Sequence, residues 1–87
     1  MKTFNELLAD EIAKARGKHA PINSAHEGYS VILEEVDEFW DWVKMKRSKR
    51  DPKEMLIELV QIAAMAQRTA EDVVIPLLKN NDETKNI

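Results

Sequence analysis

Residues 24–46 read SAHEGYSVILEEVDEFWDWVKMK, and the spacing within this stretch decides the fold. Ser24 followed three positions later by Glu27 makes a capping box, in which hydroxyl and carboxylate each take an exposed amide at a helix start. No proline interrupts residues 25–46, so the pattern predicts one long helix to about Lys46. At ~100° per residue, Tyr29, Ile32, Leu33, Val36, Trp40 and Val43 share one face, which reads as a buried stripe. Glu34, Glu35 and Glu38 fall on the other side. There Val31, Phe39 and Trp42 flank Glu35 and Glu38, so these acids lie inside a second apolar sector. A helix that is apolar on two sides is expected to be buried on two sides. Carboxylates in such a space repel each other and lose water, which raises their pKa values unless a cation compensates.

The next helix repeats the pattern. Asp51 as N-cap, Pro52 at the first helical position and Glu54 two residues later mark its start, and Pro76 is expected to bend or end it near Val74. Leu56, Leu59, Val60, Ala63, Ala66, Ala70 and Val74 form its main stripe. Glu58 instead falls among Met55, Ile62 and Met65, with Gln61 one turn on. Upstream, Thr3 and Glu6 form another capping box before Phe4, Leu7, Leu8, Ile12 and Ala15, and Gly17 is expected to stop that first helix. The expected architecture is all-α: an antiparallel bundle of three main helices in a single domain over residues 1–79, followed by a polar tail at 80–87. Antiparallel packing across the short connection would set Glu58 opposite Glu35 and Glu38. Carboxylates converging from two helices, with no His or Cys among them, suit a hard cation, magnesium before manganese.

Composition narrows the function classes. With 87 residues, the chain buries only ~60–65% of its unfolded surface, so a bundle completed by oligomerisation is expected. It has no cysteine, which excludes disulfides, thiolate zinc sites and cysteine nucleophiles. Two glycines cannot build a P-loop or a dinucleotide fingerprint. A net charge of −3 argues against general nucleic-acid binding, despite the basic run from Lys44 through Lys46 to Arg50. No apolar run approaches a membrane span, and the start, MKTFNE, carries no apolar leader, so a cytoplasmic protein is expected.

Glu34-Glu35-Val36-Asp37-Glu38 matches an E-E-x-x-E motif, and Glu58 stands twenty residues after Glu38, where a second motif, E-x-x-D, is expected. With the flanking His26–Ser30 and Ile62–Ala66, residues 24–74 resemble the MazG-like branch of the all-α nucleoside triphosphate pyrophosphohydrolases. The resemblance implies hydrolysis of a nucleoside triphosphate to a monophosphate and pyrophosphate. It implies metal ligands at Glu35, Glu38 and Glu58, and a further ligand or water-orienting group at Glu34. It also implies a homodimer or homotetramer. The chain departs from the pattern at Gln61, where the family has Asp. An amide can lend its carbonyl oxygen to a metal but is neutral and cannot act as a base, so weaker metal binding is expected; Glu54 is either a substitute charge or a capping acid. The alternative function is a catalytically degenerate helical interaction module of the same fold.

Three further residues are candidates for holding substrate. Trp42 shares the carboxylate sector and either stacks on a base or packs at a subunit interface. Lys46, in the basic run, either meets the triphosphate or balances the helix C-terminus. Arg68 either reaches a phosphate or pairs with an acid such as Asp72, one turn on.

Overall fold

The computed structural model describes residues 1–80 and consists, over that range, of helices without a strand. Helix α1 spans Phe4–Lys18, α2 Ala25–Val43, α3 Pro52–Thr69 and a short α4 Ile75–Asn80. The three expected N-caps form, but the Ser24–Glu27 box closes on one side only, since the Glu27 carboxylate accepts from the Asn23 amide at 3.4 Å and not from that of Ser24. Thr3 and Glu6 exchange side-chain bonds with each other's backbone, Ser24 Oγ accepts from Glu27 N, and Asp51 accepts from the amides of Lys53 and Glu54. Helix α1 runs one residue past Gly17, and α2 stops at Val43, short of Lys46. A single 3-10 turn, Arg47–Lys49, then leads to α3. The side chain of Arg50 folds back onto the carbonyl of Val43, giving an end carbonyl of α2 a charged donor.

Helix α3 is the shared element, packed by both α1 and α2. Three contacts fix the direction of α2 against it. Gly28 meets Thr69, Glu35 and Glu38 meet Glu58, and Val43 meets Arg50, so the pair is antiparallel. Gly28 is what allows the close approach at the top, because a Cβ there would stand 2.4 Å from Thr69 Cγ2. Helix α1 returns parallel to α3, with Arg16 bonded to Glu71 and Asp72 at its end. The helix does not end near Val74. A π-helical turn, Ala70–Val74, joins α3 to α4, and it lies where the ring of Pro76 would collide with the carbonyl of Asp72 in an α-helix. Asn80, the first residue of the expected tail, is helical in α4, and the rest of that tail, residues 81–87, lies outside the described residues.

The core is thin. Its buried apolar side chains are Ala15, Ile22, Val60 and Ala64. The α2 stripe whose spacing predicts burial is instead open: Tyr29 is 66% and Trp40 55% exposed, and Leu33 and Val36 are exposed with them. Leu59 of the expected α3 stripe is exposed as well. The reason is geometric. Helices α2 and α3 meet through the sectors that carry the acids, where Gly28 allows contact, and this turns the more apolar stripe of α2 outward, whereas Val60 of the α3 stripe stays buried. The chain is correspondingly extended, with a radius of gyration of 15.2 Å, where a compact chain of this length has ~12 Å.

Candidate metal centre

Glu35 and Glu38 project from α2 toward α3 because they lie three residues apart in the sector that Gly28 brings against Thr69. Glu58 projects from the facing turn of α3. One carboxylate oxygen of each lies within 4.8 Å of the others. A cation with oxygen ligands at ~2.0–2.6 Å separates opposite ligands by up to ~5 Å, so the three fit around one ion with little movement.

Electrostatics makes the cluster unfavourable on its own. Burial pushes the Glu35 carboxyl up to about 8, helped by a hydrogen-bonding contact with Glu38 and by the negative charges of Glu38 and Glu58. Glu58 is also raised, first by burial and then by Glu38, with Glu54 adding a weaker repulsion. Glu54 is thus close enough to be felt, although its amide is also bonded to Asp51 at the helix start. Glu35 Oε2 and Glu58 Oε2 are buried without any hydrogen-bond partner. Buried acceptors are normally satisfied. Two orphaned oxygens in one cluster of hard donors fit a divalent cation, and the absence of nitrogen or sulfur donors fits magnesium or manganese better than zinc.

The remaining sequence candidates distribute around this centre. Glu34 is exposed and stands outside the three-carboxylate cluster, on the wall of a neighbouring cleft. Gln61, one turn beyond Glu58, lines the same cleft. Trp42 is half-buried one turn beyond Glu38 on the same face of α2. Lys46 is exposed in the α2–α3 connection and lines neither the cluster nor the cleft. Arg68 is buried, and its expected partner is taken: Asp72 pairs with Arg16 at 2.9 Å and accepts from the Ile22 amide at 2.9 Å. Arg68 bonds instead to the carbonyl of Ala20 at 3.2 Å.

The cleft has a volume of about 470 Å³ and opens between the C-terminal half of α1, the connector at Ile22 and the α2–α3 pair. Its α1 side, with Lys14, Ala15 and Lys18, is not among the residues that the sequence singles out. The only signal there is the basic last turn of α1, which reads equally well as charge placed against the helix dipole. No family model, curated protein or solved structure matches this chain.

Proposed function

We propose that this chain is a magnesium-dependent nucleoside triphosphate pyrophosphohydrolase of MazG-like type, working as a homodimer or homotetramer. The observation that carries the reading is the convergence of Glu35, Glu38 and Glu58 with two buried oxygens left unpartnered. A bound divalent ion would supply phosphate binding, charge neutralisation and a water of lowered pKa.

The chain's own residues divide the remaining work. Glu35, Glu38 and Glu58 hold the cation, with one oxygen each of Glu35 and Glu58 buried between the two helices. The raised proton affinity of Glu35 and Glu58 means that the cation displaces protons as it binds, so affinity climbs as pH rises toward 8. Glu34, exposed on the wall of the cleft, takes the water-orienting role in this reading. Trp42 offers an apolar wall beside the acids, which limits water around the phosphates.

Self-association is supported by the open stripe. Tyr29, Leu33, Val36 and Trp40 on α2 and Leu59 on α3 together expose a row of large apolar side chains. The accessible surface is 6509 Å², against ~5,200 Å² for a compact monomer of this mass. A second copy seated on that stripe would cover these side chains.

The test is pyrophosphate release from a panel of ribo- and deoxynucleoside triphosphates with magnesium or manganese. Metal-dependent release that disappears in Glu38→Ala supports the proposal. The second reading, an interaction module that has lost its chemistry, draws on the neutral Gln61 beside the acids. It gains if the natural chain is silent and Gln61→Asp is active, and silence from both chains counts against the hydrolase.

A further inference from the structure

Away from the acid cluster, two apolar features stand without a partner, one beside the start of α3 and one beyond its end. The first is a groove of about 290 Å³ between α1 and the N-terminal half of α3, with Leu7 on one side and Leu56, Ile57 and Val60 on the other. Charged residues, among them Glu11 and Lys53, border it, yet the surface it offers is almost wholly apolar. Small-molecule sites carry a few placed polar groups that fix a ligand's orientation, and this groove offers almost none. Apolar side chains are what it fits.

The second feature is the end of the long helical run. The main neighbour of α4 is the π-helical turn that leads into it. Val74, Ile75 and Leu77 are exposed there, Leu77 by 55%. Six residues are too few to hold a helix by propensity alone, so α4 stands as an extension of α3. A chain does not join the two features within itself. Ile57 and Leu77 are twenty residues apart on uninterrupted helix, which is ~30 Å at 1.5 Å per residue. A second copy laid head to tail brings the groove of each chain to α4 of the other, and a two-fold axis makes the contact twice. Charge agrees with this pairing. Lys79 is the one charged residue of α4, and neither it nor Glu11 at the groove makes an ion pair among the described residues.

We propose that the α1–α3 groove of one chain receives α4 of a second copy, reciprocally, with Leu77 entering beside Ile57. The occupant is thus a segment of the same sequence, Ile75–Asn80. This surface shares no residue with the α2 stripe of Tyr29, Leu33, Val36 and Trp40. It does not involve the acid cluster either, so it stands or falls apart from the hydrolase reading.

The chain has no cysteine, so introduced thiols report on this contact alone. Ile57→Cys and Leu77→Cys are purified separately, mixed and oxidised, and circular dichroism checks that each keeps the helicity of the natural chain. A disulfide needs its two Cβ atoms within ~4.5 Å, so the mixture is expected to give at least ~10-fold more linked dimer than either variant alone. A mixture of Trp40→Cys with Leu77→Cys is the control and should stay unlinked. The link between 57 and 77 should persist when both chains also carry Trp40→Lys, which opens the α2 stripe and leaves α4 untouched. In the otherwise natural chain, Leu77→Glu should weaken self-association by ~10-fold or more, measured by sedimentation. A natural chain that sediments as a monomer overturns the assignment. So does a mixture that links no more than its separate members, a link that vanishes with Trp40→Lys, or a Leu77→Glu chain that associates like the natural one. None of these readouts depends on pyrophosphate release, so the two proposals fail separately.

Discussion

Two groups of carboxylates sit against α3, and they are treated in opposite ways. Asp72 has a side chain only 10% exposed, yet the Arg16 guanidinium and the Ile22 amide hold its carboxyl below the usual range. Glu71 beside it is lowered as well, by Arg16 and Gln67. Glu35 and Glu58, less than four turns of helix away, are raised first by burial and then by Glu38, and two of their oxygens bond to nothing. Both groups lie between helices, but only the first is complete in itself. The fold can supply a cation to a buried acid, as Arg16 shows. That it supplies none to Glu35 and Glu58 is the difference on which the proposed cation site rests.

The contrast can be broken first at the acid cluster. Glu38→Ala is expected to reduce metal-dependent pyrophosphate release by more than the ~10–100-fold that loss of a supporting residue costs. A steady-state assay in magnesium measures this, and a reduction under threefold would show that Glu38 holds nothing essential. The next effect is on stability. Asp72→Ala leaves the Ile22 amide unpaired and Arg16 with Glu71 alone, and should cost ~1–3 kcal/mol, or a fall of ~4–8 °C in Tm for each kcal/mol. Gly28→Ala should cost a comparable ~1–3 kcal/mol, because its methyl group has no room against Thr69. Thermal denaturation of both variants gives the figures, and a tolerated alanine at 28 would mean that α2 and α3 pack differently.

The pH dependence sharpens the comparison further, because the two groups have opposite signs. Glu35 binds its proton more tightly folded than unfolded, so between about 4.5 and 8 the folded state carries the extra proton. Without metal, stability should therefore fall as pH rises through that window, and Glu35→Gln should flatten the slope. Asp72, being lowered, contributes stability that is present above its ordinary value of 3.8 and lost as pH falls through its folded pKa. Melting curves from pH 3 to pH 9 separate the two, and a metal-free chain that gains stability from pH 5 to pH 8 would contradict the account of Glu35. The smallest expected effect is Trp40→Lys, which should lower self-association measured by sedimentation while leaving the isolated chain's helicity unchanged.

Local chemistry makes much of this readable in the sequence. Thr3, Ser24 and Asp51 cap helices through groups within three residues of themselves, so no tertiary knowledge is needed. The acid cluster is also legible, since an acid within an apolar angular sector implies burial and a short connection implies antiparallel neighbours. The choice of packing face is not. Tyr29, Leu33, Val36 and Trp40 form the stronger apolar stripe of α2, yet Gly28 admits α3 on the other side, and only a close approach between distant residues reveals that. The partner of Arg68 is hidden for the same reason. Asp72 is its neighbour along the helix, but Arg16 and Ile22 reach Asp72 from another segment and leave Arg68 to the carbonyl of Ala20.

The most direct test of the central claim is a titration of the free protein with manganese at pH 7.5, followed by electron paramagnetic resonance of the unbound ion. The account predicts saturable binding that releases protons, competes with magnesium and disappears in Glu38→Ala and Glu58→Gln. Absence of binding, or binding that survives both substitutions, would contradict it.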